Sequence, residues 1–231
     1  IGYRSASLER ALPVQRTMLL GMIVADINNP VFHGMIRGAE RTAMHAGYIM
    51  LLVETQESEH TEKQALSRVL SAVDGVILSS SRMPDASIRD AAKHRPLVLL
   101  NRIVGQIPSV ASDNLKAMRK ASEHLAGAGV REISYLAGPE ASWSDGMRWQ
   151  GLRAAGLELD LKVRRIGPNV PTMAGGGLAA TKWLSNQTRG VIAYNDLLAI
   201  GFIREVILAG CRVPEDVCVI GFDNILSSSL V

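Results

Sequence analysis

The chain has 231 residues, 47% hydrophobic and 20% charged, enough for one large domain or two of about 100 residues each, with the balance of an ordinary globular protein. No run approaches the roughly 18 apolar residues of a membrane span, and Ile1-Gly2-Tyr3-Arg4 lacks the basic start and apolar stretch of a secretory signal, so a cytoplasmic protein without a membrane partner is expected. A net charge of +3 excludes a nucleic-acid-coating protein on charge alone, although Arg4, Arg10 and Arg16 against Glu9 put two of the three excess charges in the first sixteen residues.

In chain order, short apolar runs recur at Leu19 to Ala25, Ile49 to Val53, Gly75 to Leu78, Leu97 to Leu100, Ile133 to Leu136, Val191 to Ala193 and Val217 to Ile220. Continuous apolar runs of this length indicate strands buried on both faces, and the segments between them have the length of crossover helices. The pattern predicts an α/β fold with largely parallel sheets, helices on both sides and right-handed crossovers. Several helix ends can be read chemically: Asn29-Pro30 opens a helix that closes at Gly47, Asp113-Asn114 caps one ending at Gly129, Thr172 opens another, and Asn195-Asp196 caps one ending at Gly210. The cluster Gly175-Gly176-Gly177 lacks the Lys-Ser/Thr of a phosphate-binding loop and reads as a plain helix entry. Cys211 and Cys218 have no metal-ligand or redox spacing and read as packing thiols; no metal or cofactor is expected.

Two short motifs carry the most information. Tyr194-Asn195-Asp196-Leu197 and Gly221-Phe222-Asp223-Asn224 each follow a buried strand, placing polar side chains at the sheet edge where open α/β folds bind small ligands. Taken with Ile23 to Phe32, Val73-Asp74-Gly75-Val76-Ile77-Leu78, Ser112-Asp113-Asn114, Glu123-His124-Leu125 and Ser144-x-x-x-Arg148-x-x-Gly151, they resemble, in order and spacing, the effector-binding core of lac-repressor-type (LacI/GalR) regulators. That core shares the type I fold of periplasmic sugar-binding proteins.

The resemblance implies two doubly wound parallel-sheet subdomains, residues 17–111 and 112–231, joined by a hinge around a ligand cleft. It implies that residues 1–16 are the remnant of a hinge helix, with Leu12 at the position that wedges into the DNA minor groove. Where family members have Pro-Asn after the position of Arg4, this chain has Ser5-Ala6. A helix-turn-helix upstream of Ile1, and a further strand and helix after Val231, would complete such a protein. This chain is therefore expected to sense an effector and, by itself, not to read operator DNA. A homodimer is implied.

For the site, the resemblance points to Asp26, Asn29, Phe32, Ser80, Ser81 and Asn101 from the first subdomain, and to Ser144, Arg148, Asn195 and Asp223 from the second. The chemistry agrees with these types. Arg148 offers five donors in a plane, Asp223 accepts from neighbouring hydroxyls, and Phe32 can lie against a ring. Two features depart from the family: Gly167-Pro168-Asn169-Val170-Pro171 has no aromatic platform, which Trp143 could replace, and Asn101 stands where aspartate is frequent. A sugar-like effector and a non-enzymatic regulator follow. The alternative is a solute-binding receptor of a sugar transporter. None of His33, His45, His60, His94 and His124 has a nucleophile or metal-ligand partner at informative spacing, which leaves an enzyme without support.

Overall fold

A computed structural model describes residues 16–231, so Leu12 and the hinge-helix expectation lie outside the described residues. The first sheet is built from β1 (Leu19–Val24), β2 (Ile49–Glu54), β3 (Gly75–Ser79), β4 (Leu97–Leu100) and the short β5 (Ser109–Val110), in the order β2-β1-β3-β4-β5. The second contains β6 (Glu132–Leu136), β7 (Lys162–Ile166), β8 (Gly190–Ala193) and β9 (Cys218–Ile220), in the order β7-β6-β8-β9. Every pairing is parallel.

Strand alternation sorts the first core into two layers. Ile23, Val76, Leu78, Leu97 and Leu99 face α2 (Glu59–Ala72) and α3 (Asp85–His94), whereas Met22, Val24 and the half-buried Ile77 and Leu100 face α1 (Val31–His45). In the second lobe α4 (Asn114–Gly127) packs with α5 (Trp143–Glu158), and α6 (Met173–Leu184) packs with α7 (Asp196–Leu208). The strand order and right-handed crossovers put these two pairs on opposite faces. A single continuous core results, including Tyr135, Trp183, Phe202 and Val217.

The helix ends follow the capping chemistry. Asp113 accepts from the Lys116 amide, Thr172 from Gly175 and Asn195 from Leu198, and Gly47, Gly129 and Gly210 adopt positive φ just past helix ends. Two strands were not expected from the sequence. β5 is only two residues long, and β7 is an edge strand reading Lys-Val-Arg-Arg-Ile, whose polar alternation hides it from a search for apolar runs. The glycine cluster does more than admit a helix. A Cβ on Gly176 would lie 2.2 Å from the Leu198 carbonyl oxygen, and one on Gly201 1.9 Å from that of Met173. The bare backbones of α6 and α7 therefore touch.

Candidate functional site

In each sheet the strand order reverses once, between β1 and β3 and between β6 and β8. Crevices beyond the carboxyl ends of strands at such points are where open α/β sheets take ligands. The loops leaving these strands meet around a small cavity between the two lobes, with free space of about 20 Å³. Its wall includes Asn29, Phe32, Ser80, Asn101, Ser144, Arg148 and Asp223 from the sequence-based set, and also Val31, Glu57, Arg82, Pro171 and Tyr194, which that set did not contain.

From the first lobe, buried Asn29 accepts from the Val31 amide at 3.2 Å and fixes the start of α1, which leaves its amide group available. Phe32 is buried in the α1-side core while presenting an edge to the cavity. Ser80 and Asn101 both have left-handed backbones (φ 55° and 58°), and the Asn101 amide donates to the Ser80 hydroxyl at 3.4 Å. A direct contact joins the lobes here: the Ser144 hydroxyl donates to the Asn101 carbonyl at 3.0 Å.

Arg148 is held on three sides. Its Nε donates to Asn114 Oδ1 at 2.9 Å, its Nη1 donates to the Tyr194 carbonyl, and its guanidinium carbon stands 4.1 Å from the Phe222 ring centroid and 5.0 Å from that of Tyr194. Such stacking and bonding order a side chain that would otherwise lose rotamer freedom on binding. Tyr194 is itself fixed: its hydroxyl bonds to Ser142 at 3.0 Å, and a side chain at Gly138 would collide with its ring at 2.5 Å. The start of α5, which carries Ser144 and Arg148, is anchored by Asp145. That fully buried carboxylate accepts from the Tyr135 hydroxyl (2.8 Å), the Gly138 amide (2.6 Å) and Arg165 (2.5 Å). Burial, reinforced by Asp145, pushes the Tyr135 phenol well above its usual range, so it remains a donor.

Asp223 sits at φ 104°, a backbone region that a side chain rarely adopts, and its carboxyl has no hydrogen-bond partner among the described residues. Burial pushes that carboxyl up to about 7; Arg148 pulls it down, and neighbouring Asp196 adds to the rise. On the other wall Arg82 donates through Nε to Glu57 at 2.5 Å. Burial draws its guanidinium down, but the Tyr194 phenol and the Glu57 carboxylate outweigh that and hold it above its ordinary value. Tyr194 thus stands between one guanidinium from each lobe.

Three residues of the sequence-based set do not reach the cavity wall. Asp26 closes a turn on itself, accepting from the Asn28 amide at 2.8 Å and from its side chain at 3.1 Å. Ser81 points into the first lobe: its hydroxyl accepts from the Met83 amide and bonds Glu62, and its carbonyl takes Arg102. Asn195 spends its oxygen on the Leu198 amide and its nitrogen on the Pro171 carbonyl, making it the helix cap. Its neighbour Asp196, the other half of the expected Asn195-Asp196 cap, instead accepts from the Ile225 amide and holds the loop after β9. Trp143 is also absent from the wall.

A polar cavity enclosed by two parallel-sheet lobes, with converging guanidinium, carboxyl, hydroxyl and amide groups, defines a small-molecule-binding protein. Over residues 17–230 the chain matches the family described as periplasmic binding proteins and sugar binding domain of the LacI family, and it belongs to that family. The HTH-type transcriptional repressor CytR of Escherichia coli (strain K12) is 30% identical over 233 residues, spanning 97% of this chain and 68% of the relative. The ribose operon repressor of Halalkalibacterium halodurans is 28% identical, with the same coverage of each chain. Among solved structures, a periplasmic binding protein/LacI transcriptional regulator from Alkaliphilus metalliredigens, complexed with D-xylulofuranose, superimposes with a TM-score of 0.81 at 27% identity, covering 93% of this chain and 81% of that one. The chain is an effector-binding domain of the LacI-type regulator family. Among the described residues no helix is long and apolar enough to cross a membrane, and no group of three or more His, Cys, Asp or Glu side chains is placed to hold a metal ion.

Proposed function

We propose that this chain is the sensing core of a cytoplasmic transcriptional regulator, and that a sugar or sugar derivative bound between its lobes (residues 17–111 and 112–231) alters operator affinity. The effector contacts are Arg148 and Asp223 first, then Asn29, Phe32, Ser80, Asn101 and Ser144. The observation that carries the reading is Asp223: a carboxyl on the cavity wall, on a strained backbone and without a protein hydrogen-bond partner among the described residues, beside a guanidinium already fixed by two bonds and two rings. A guest that supplies the missing partner gains a charge-assisted hydrogen bond there.

A ligand that touches both lobes stabilises the closed arrangement through contacts an open one cannot make. In a homodimer, the resulting rotation of the first lobes would change the spacing of DNA-reading segments, and coupling of about 1 to 3 kcal/mol would shift operator affinity roughly 5- to 150-fold. Relatives named as repressors, none named as an enzyme among those compared, fit a regulator without turnover.

Thermal-shift screening against pentoses, hexoses, sugar acids and nucleosides tests the reading. At about a hundredfold excess over Kd a true effector adds about 2.7 kcal/mol, which is worth roughly 5 to 11 °C in a chain of this size. Arg148→Ala and Asp223→Ala should each abolish the rise. A hit whose effect survives both substitutions would place the binding elsewhere.

A further inference from the structure

Arg82 is the one cation that the first lobe contributes to the cavity wall among the described residues, and it is almost fully buried there. It reaches the wall because it alternates with Ser81 after β3: Ser80 and Arg82 face the cavity, while Ser81 turns inward to Glu62. Two features hold it in place. Its backbone amide donates to buried Glu62 at 2.7 Å, and its Nε edge is taken by Glu57. With that edge occupied, the rest of the planar fork is oriented by the protein and not by solvent.

Across the cavity Arg148 has its Nε and Nη1 engaged by Asn114 and the Tyr194 carbonyl, so two of its five N–H donors are used and the others remain. The two guanidiniums flank the same residue, Tyr194. The wall holds two carboxyls to balance them, but only Glu57 is bonded to its arginine. Asp223 makes no bond to Arg148, so three of that guanidinium's donors are left without a protein acceptor among the described residues. The Asn29 amide and the Ser80 hydroxyl add further donors, whereas the Ser144 hydrogen is spent on the Asn101 carbonyl and one Asn101 amide hydrogen on Ser80. A neutral sugar hydroxyl gives and takes hydrogen bonds equally, whereas this wall is rich in donors and short of acceptors.

Resting on the effector reading above, we propose that Arg82 is a specificity-determining residue, and that it and Arg148 grip, from opposite lobes, the carboxylate of a sugar acid of monosaccharide size. Charge-assisted bonds to a planar carboxylate are the strongest that guanidinium forks make, and two forks from separate lobes would tie recognition of the acid to lobe closure.

The test compares matched pairs on the purified chain: D-galacturonate against D-galactose and D-glucuronate against D-glucose, by thermal shift and titration calorimetry. At least one uronate should bind more tightly than its neutral partner, and the preference should weaken with added salt. Arg82→Gln should reduce uronate affinity roughly 10- to 100-fold and leave the neutral sugar nearly unchanged, with Arg82→Lys restoring part of the preference. Near-ultraviolet circular dichroism of the unliganded variants controls for folding. Equal binding of acid and neutral partners, or an equal loss of both in Arg82→Gln, overturns the proposal. If none of the four sugars binds, the sugar-acid assignment fails, while the effector reading survives only if another compound of the wider screen binds in an Arg148-dependent manner.

Discussion

The two lobes share a construction but not a density. The second has a pair of helices on each face of its sheet, and its core includes buried Trp183 and Phe202 in an edge-on contact with centroids 5.2 Å apart. The first has α2 and α3 on one face and α1 alone on the other. Beside α1 an apolar groove of about 590 Å³ runs along Leu20, Met35, Ala39, Ile77, Val98 and Leu100, with no charged side chain in its lining. Edge strand β2 leaves Ile49 66% exposed. The comparison teaches that rigidity is concentrated where the most constrained site residue, Arg148, resides. A site needs its supporting layer to be tighter than the residues it aims.

Glycines offer the strongest way to break this contrast. Gly201→Ala would drive a methyl group into the Met173 carbonyl and force α6 from α7, at an expected cost of about 3 kcal/mol or more, read by urea unfolding. A neutral outcome would mean that the second lobe can relax and is not the rigid partner. The next test uses Asp223, the exception to the good packing of its lobe. A carboxyl whose pKa is raised from 3.8 to about 7 by folding adds stability that is complete below the lower value and disappears as pH rises through the upper one. Asp223→Asn is neutral throughout, so its advantage over the native chain should grow between about pH 4.5 and 7.5 and then level off, with a size reduced by the solvent exposure of Asp223. Unfolding curves with a constant difference across that range would remove the buried-charge argument. The smallest effect is expected on α1, where a Cβ at Gly38 meets nothing within 4 Å. Gly38→Ala should stabilise by about 0.5 to 1 kcal/mol, visible as a small rise in the thermal midpoint.

Much of the fold was legible because strands buried on both faces announce themselves as unbroken apolar runs, and the Asp113, Thr172 and Asn195 caps announce helix starts. β7 was not, since Arg164 and Arg165 on an edge strand look like loop residues until Ser134 and Asp145 are seen to receive them. Within the site, motif spacing reached residues that come straight off strand ends. It could not separate Ser80 from Ser81, because adjacent residues of identical type differ only in the side to which the chain turns them. Arg82 follows from that same alternation, two positions after Ser80. Glu57 and Pro171 reach the cavity only through the packing of separate elements, for which local sequence holds no signal.

The backbone at Asp223 has an evolutionary consequence. Glycine would be comfortable at φ 104°, so selection for heat tolerance alone would favour it there. Such a descendant would fold robustly and be deaf to its metabolite. An uncomfortable aspartate at that turn trades endurance for responsiveness.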